Sequence, residues 1–372
     1  MSCATEFNSN FIASFQLSNQ LRKMKIFRKY YLILLSVISA ACDPFNTKIG
    51  PEVSIYQSKE TKEYNFPDTL KVMTWNIKFG GGGIDFFFDC HGDRVIMEKS
   101  EVINHMKALS EKIREINPDI LLIQEADVNA KRSAYVDQVQ YLLDNTDFNY
   151  AAYASQWKAS KIPSDGIGKM DSGNAILSKW KFTDAKRIAL PLIKSQNFIV
   201  RYFYLKRNIL DVQMEHEGKK LHILNTHASA FAKDDTKKKQ LDIIKAYADA
   251  ISLKGDQLIL GGDFNSLPPY SNQTSQFDDS ACTDGEFEAN DYSTETEWMM
   301  PFYENYQAAI PLDEYRNSNK DHFTHTTDKN GFWNRKLDYL FTNGKFIDKS
   351  GETLQEWMQI SDHAPIIVNY EF

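Results

Sequence analysis

The chain has no Cys-x-x-Cys pair, no basic block longer than Lys237-Lys238-Lys239, no apolar run long enough to cross a bilayer, and no Gly-Lys-Ser/Thr after its glycine cluster. Each absence removes a class. The four cysteines, Cys3, Cys42, Cys90 and Cys282, have no histidines at zinc spacing, which excludes a zinc ribbon. Cys90 and Cys282 are either one disulfide, in an oxidising compartment, or two unrelated thiols. With 43 basic against 50 acidic residues the formal charge is −7. Phosphate contacts dominate non-specific DNA affinity, so this balance counts against duplex DNA as the main partner. Gly80 to Gly83 do not form a phosphate-gripping P-loop and read as a plain flexible turn.

What is present begins with a targeting segment. Met24-Lys25-Ile26-Phe27-Arg28-Lys29 is a basic start, and Tyr30 to Ala41 is a short apolar stretch ending in Ser39-Ala40-Ala41-Cys42. Spanning a bilayer takes about 20 apolar residues, more than this stretch offers. The layout resembles a bacterial lipoprotein signal, which implies lipidation at Cys42, export and a membrane anchor at the cell surface or in the periplasm; the alternatives are an ordinary secretory signal and an uncleaved anchor. Ser39 stands where such signals usually carry an aliphatic residue. Residues 1–23 lack signal character, so translation is expected to begin at Met24. Residues 1–42 are thus read as signal, the polar stretch 43–65 as a tether, and 66–372 as one domain, expected to be a monomer.

From Pro67 the pattern is α/β. Strand-like apolar runs occupy 71–77, 119–125, 174–178, 207–214, 221–227, 257–263, 337–342 and 365–371. Val102, Met106, Leu109, Ile113 and Ile116 form a helical stripe over 101–116, which Asn117-Pro118 ends. Further helices are expected over 133–144 and 237–253. Residues 266–335 read as a long polar loop, where selectivity is expected to reside.

Short polar motifs end the apolar runs: Met73-Thr74-Trp75-Asn76, Ile123-Gln124-Glu125, Asn225-Thr226-His227, Gly262-Asp263-Phe264-Asn265, Leu337-Asp338-Tyr339 and Ser361-Asp362-His363. Singly they are bland. A glutamate after an apolar run is ordinarily solvated or capping, Asp263 and Asn265 suit an Asx turn, and Asp362-His363 suits a satisfied turn. Together they supply hard oxygen ligands, amides and imidazoles, the parts of a site that binds a divalent cation and hydrolyses a phosphate ester. Asp263 can polarise a water beside the Asn265 amide. Asp338 lies in an apolar run, where a lone carboxylate is costly, and His363 is its natural partner. Arg207 and Lys131-Arg132 are candidate phosphate grips, with solvated surface charge the alternative.

In order and context these motifs, with Gly173-Asn174-Ala175-Ile176-Leu177-Ser178, resemble the endonuclease/exonuclease/phosphatase superfamily over about residues 70–372. The resemblance implies a four-layer α/β sandwich, two mixed β-sheets face to face with flanking helices, as in DNase I-like proteins. It implies Mg2+ or Mn2+ on Glu125, with Asn76 and Asp362 in support. Asp263 would orient and deprotonate the attacking water, which Asn265 places. His363, held by Asp338, would contact the scissile phosphate, and His227 would stabilise charge on phosphorus. Whether His363 or Asp263 is the base stays open. Asn174, Arg207 and Arg132 are the candidate substrate contacts. The expected substrate is a small phosphoester or a phospholipid headgroup. The alternatives are a secreted nuclease and, from another class, a non-catalytic surface binding module.

Overall fold

The structure, a computed structural model, describes residues 43–89, 92–230, 232, 234–277, 291–326, 333–357 and 359–372. The targeting segment and all four cysteines lie outside these residues. So do the lipidation expected at Cys42 and any Cys90–Cys282 bond. Contacts divide the chain into residues 1–48 and 49–372. In the first unit the described residues form a turn in which the Lys48 N–H donates to Asp43 Oδ2 at 2.6 Å.

In the second unit the strands, in chain order, are β1 (Ser54–Gln57), β2 (Thr69–Asn76), β3 (Ile120–Asp127), β4 (Tyr150–Ile162), β5 (Gly168–Ser178), β6 (Asp184–Ala189) and β7 (Asn208–His216). They continue with β8 (Lys219–His227), β9 (Gln257–Asp263), β10 (Gln307–Ala308), β11 (Asp338–Thr342), β12 (Lys345–Phe346), β13 (Glu352–Thr353) and β14 (Ile366–Glu371). The helices are α1 (Lys99–Ile116), α2 (Gln138–Asn145), α3 (Phe198–Phe203), α4 (Thr236–Ser252), α5 (Met300–Asn305) and α6 (Leu312–Asn317).

One sheet runs β1-β4-β5-β3-β2-β14-β12, with β13 on β14, and the other runs β10-β11-β9-β8-β7-β6. Each contains one parallel pair, β2 with β3 and β8 with β9, among antiparallel neighbours. Alternation along the strands explains the layers. Leu70, Val72, Ile120 and Leu122 face Val212, Ile223 and Ile259 between the sheets. Met73, Trp75, Leu121 and Ile123 point the other way, onto Val102, Met106 and Leu109 of α1 and Leu142 of α2. Leu258 and Leu260 meet Leu241, Ile244 and Ala248 of α4 on the far side. Both faces of the central strands are therefore covered, which is why they read as continuous apolar runs. The result is a four-layer α/β sandwich of the DNase I-like kind.

Three expectations need correction. The stretch 43–65 is not wholly a tether: Ser54–Gln57 pairs antiparallel with β4, Ser54 opposite Tyr153. An edge strand of four residues is held by backbone hydrogen bonds and needs no apolar pattern. The glycines are no flexible turn either. Lys78, Phe79, Gly80 and Gly82 all have positive φ, and a Cβ on Gly82 would lie 3.0 Å from the His105 ring. Phe79 packs edge-on against Phe86 at 4.7 Å, so this segment is a tight, buried turn over α1. Finally, 266–335 is not one long loop, since it contains α5, β10 and α6.

Candidate active site

The parallel pairs carry four site residues to one end of the sandwich. Asn76 lies opposite Gln124 across β2 and β3, beside Glu125. In the other sheet Asp263 is flanked by His227 on β8 and Asp338 on β11. The loop carrying Ser361-Asp362-His363 enters β14, which pairs with β2. The Ser361 hydroxyl donates to the Asn76 carbonyl at 2.8 Å, and Trp75 Nε1 donates to the His363 carbonyl at 2.8 Å. These two bonds seat the last motif over the first.

Local backbone aims the carboxylates. By strand alternation Glu125 would follow Ile123 into the helical layer. Instead the β3–β5 register shifts between Ile123 and Ala126, and Glu125 takes a φ of 61°. A bulge adds one residue and re-aims a side chain, at a conformational cost that surrounding structure must over-determine. Ala126 then resumes the outward face. Gly262 has a φ of 127°, and a Cβ there would meet the Thr226 carbonyl oxygen at 2.0 Å, so only glycine admits this approach of β9 to β8. The Asn265 N–H donates to Asp263 Oδ1 at 2.9 Å. This is the Asx turn, and it fixes one oxygen while leaving Oδ2 to the site.

Asp263 Oδ2 is the focus. It accepts from Asn76 Nδ2 at 3.2 Å and lies 3.4 Å from His227 Nε2 and 3.7 Å from His363 Nε2. The same Asn76 amide donates to Glu125 Oε1 at 3.1 Å, so one amide links carboxylates from both sheets. His363 Nδ1 faces Asp338 Oδ2 at 2.8 Å, the pairing expected from sequence. Burial alone would push His363 down, but the charges of Asp338, Asp263 and Asp362 outweigh it and raise it to about 10. Asp263, also fully buried, is pushed up by burial and by Asp338, against the pull of His363. His227 is driven well down by burial, then by Arg207 and His363, and is neutral.

The remaining candidates divide. Asp362 pairs with Lys78 Nζ at 3.4 Å. Arg207 is buried and donates to Gln156 Oε1 at 3.1 Å; its Nε has no partner, and Glu125 and Asp263 both act on its charge. It immediately precedes β7, whose Ile209 pairs with Thr226 beside His227. Asn174 is fully buried, with Oδ1 unpartnered and Nδ2 3.4 Å from Asn208 Oδ1. Asn265 donates its amide to the Ala228 carbonyl at 3.1 Å, a positioning contact. Arg132 is a correction. Its Nε and Nη2 donate to both oxygens of Asp127 at 2.9 Å, and its guanidinium lies 3.6 Å over the Phe79 ring. A grip already closed on a buried carboxylate is not free for substrate. Arg132→Ala is expected to cost about 3 kcal/mol by stranding Asp127 and to leave KM for a soluble substrate unchanged. Urea unfolding and steady-state kinetics check both halves, and a raised KM would return Arg132 to the site.

Sequence reasoning missed Lys78, Asp89 and His325. Lys78 is buried, bridges Asp362 and, at 3.1 Å, Asp89, and is held protonated by them against burial. The His325 ring lies against His363, tilted by 41°, with ring centroids 4.4 Å apart. Nothing in the sequence marks a lysine two places after Asn76 as inward-facing, because the turn that directs it rests on positive φ. Two motif residues serve the scaffold instead. Gln124 Nε2 donates to Asn225 Oδ1 at 2.7 Å, and Asn225 Nδ2 donates to the Ile123 and Ala175 carbonyls at 2.7 and 2.8 Å. Asn225→Ala would leave these buried groups unpaired and is expected to cost about 2–3 kcal/mol. An unchanged urea midpoint would show that the stitch between sheets is dispensable.

The donor set suits a divalent cation. Glu125 is half-buried beside other carboxylates, and among the described residues no cation pairs with it. Ligand atoms of Asp263, Asp338 and His363 lie within 4.8 Å of one another, as do those of His325, Asp362 and His363. Carboxylate and amide oxygens are the ligands hard cations take.

Fold and site together define a phosphoester-cleaving class, and the sequence profile of the Endonuclease/Exonuclease/phosphatase family matches residues 73–363. The chain belongs to that family, whose members are hydrolases acting on phosphoester bonds. Among solved structures it is similar to an endonuclease/exonuclease/phosphatase from Beutenbergia cavernae DSM 12333, at 18% identity and TM-score 0.56, covering 82% of this chain and 72% of that one. It is also similar to the human Nocturnin catalytic domain with bound sulfate anion, at 17% identity and TM-score 0.53, covering 86% and 97%. A comparison with curated proteins finds no match.

Proposed function

We propose that this chain is an exported, divalent-cation-dependent phosphoester hydrolase acting on a small phosphoester or a phospholipid headgroup. The observation that carries the hydrolase is the convergence of Asn76, His227 and His363 on one oxygen of Asp263. Glu125, with Asn76 and Asp362, would hold a Mg2+ or Mn2+ ion, which when bound would supply charge neutralisation at the phosphate.

The chain's own residues account for the rest. Asp263 Oδ2 takes the proton of the attacking water as the water oxygen bonds to phosphorus, and Asn76 and the Asx turn at Asn265 hold that carboxylate in place. His363 acts as a cationic donor to a non-bridging oxygen through Nε2, because Asp338 occupies Nδ1. Neutral His227 and the buried Arg207 face the developing charge. The phosphorus–ester oxygen bond breaks, and the departing oxygen leaves as the alcohol once protonated from solvent. Export is supported by the basic-then-apolar stretch ending at Cys42. The preference against nucleic acid rests on the −7 balance.

Purified protein with Mg2+ is tested against soluble phosphodiesters and monoesters, phospholipids, inositol phosphates, nucleotides and DNA. Turnover of a small or lipid phosphoester is expected. Turnover confined to DNA, with binding that falls steeply with salt, would replace this reading with a nuclease.

A further inference from the structure

We infer that the segment joining β6 to β7, with α3 at its tip, docks the enzyme on an anionic lipid surface and presents phospholipid headgroups to the site. This deepens the proposed function and rests on that reading for its substrate.

The first observation is misplaced apolar surface. Phe198, Ile199 and Val200 are 76%, 56% and 44% exposed, and no residue of α3 is buried. The helix is nonetheless built, not frayed. Asn197 Oδ1 accepts from the Val200 N–H at 2.9 Å, and Trp157 Nε1 donates to the Phe203 carbonyl at 2.7 Å. Phe203 packs with Trp157 against Ile162 and Ile167 of the β4–β5 hairpin. A fixed helix therefore holds large apolar side chains in water, which soluble surfaces seldom do without a partner.

The second observation is charge. Around α3 the surface cations are Lys194, exposed, and Arg201 and Lys206, half-buried, with no acidic residue between Asp184 and Asp211 in a protein of net charge −7. Lys186 pairs with Asp184, Arg187 and Arg207 are buried, and Asp234 accepts from the Ser195 N–H, so the collar is these three cations alone. Apolar side chains with a basic collar fit an interfacial element that enters the headgroup layer of anionic lipid. A purely apolar protein partner has no use for the collar. Nucleic acid would use the collar but would not bury Ile199 and Val200.

The third observation is position. Ile209 pairs with Thr226, so the segment leads directly to the strand end carrying His227. The Lys206 N–H donates to the Gln156 carbonyl, and Arg207 Nη1 donates to the Gln156 side chain at 3.1 Å. Arg207 in turn senses Glu125 and Asp263. The buried Arg207 thus stands on the chain between α3 and the strand end carrying His227, and a headgroup phosphate held at α3 is brought towards the site.

The test uses the full chain and a local readout, so that membrane affinity of the amino terminus does not enter. Hydrogen exchange of residues 196–204 is followed with phosphatidylglycerol vesicles and with phosphatidylcholine vesicles. Alongside, hydrolysis of a soluble chromogenic phosphodiester and of vesicle lipid is compared between wild type and Phe198→Ser/Ile199→Ser. Exchange is expected to slow on the anionic vesicles only. The double variant is expected to lose roughly tenfold or more of its rate on vesicle lipid and to keep its rate on the soluble ester. No protection by either vesicle while the soluble ester is hydrolysed overturns the docking inference and leaves the hydrolase reading intact. Protection without any hydrolysis upholds docking and removes the hydrolase reading. Equal protection by neutral vesicles, protection by DNA instead, or self-association abolished by the double variant overturns the anionic-lipid assignment.

Discussion

His363→Ala is expected to lower kcat on a soluble phosphodiester by about 10^3-fold or more, the combined scale of losing a charged donor and an orienting contact. His363 is held on both sides, by Asp338 at 2.8 Å and beside Asp263 at 3.7 Å. The substitution also strands Asp338, a carboxylate 1% exposed, and should cost about 3–5 kcal/mol of stability. A second variant separates the two effects. His363→Ala/Asp338→Asn removes the orphan charge, so its stability should recover while its activity does not. Recovery of both would show that His363 only serves the fold.

The same pair sets a pH window, measured in chelator so that no cation contributes. His363 is raised to about 10 in the folded protein, above an unfolded value of about 6.5. A raised imidazole binds its proton more tightly when folded, so its contribution is complete below the unfolded value and fades as pH rises towards about 10. Urea midpoints of wild type should therefore fall across that interval more steeply than those of the double variant. Parallel slopes would mean that the proton does not reside on this pair.

Glu125→Gln is expected to reduce turnover by about 10^2- to 10^4-fold, and EDTA should do the same to wild type, with Mg2+ or Mn2+ restoring it. The argument is the bulge. Held at a φ of 61°, Glu125 turns its carboxylate away from the alternating position, accepts one hydrogen bond from the Asn76 amide and makes no ion pair among the described residues. A bound ligand gives that turn a reason. Binding linkage supplies a readout independent of turnover: Mg2+ at a hundredfold excess over its Kd should stabilise wild type by about 2.7 kcal/mol. It should stabilise Glu125→Gln much less. Equal stabilisation of both would move the cation to another cluster, such as His325, Asp362 and His363.

Much of this fold was legible because central strands covered on both faces leave continuous apolar runs. Those at 221–227 and 257–263 lie within β8 and on β9 almost residue for residue. Strand β4 was missed although it is the longest, at 13 residues. Its Ala- and Ser-rich face carries few β-branched residues, and its identity comes from pairing with β5 rather than from propensity. Strand β1 and helix α3 were invisible for the same reason, being short and held by contacts remote in sequence. At the site, Asn76, Glu125, His227, Asp263, Asp338 and His363 were all identifiable, each being a polar residue that ends or interrupts an apolar run. Arg132 misled, because a guanidinium near a motif looks the same whether it awaits a phosphate or already grips Asp127.

What the chain's order of residues determined by itself was the set of strand ends and the chemistry placed on each, since apolar periodicity and residue type are local properties. What only the tertiary structure decided was direction. The bulge at Glu125, the positive-φ turn that buries Lys78, and the Asn76 amide between two sheets depend on neighbours distant in sequence. A side chain's aim is set by backbone geometry that packing imposes, and no local pattern encodes it.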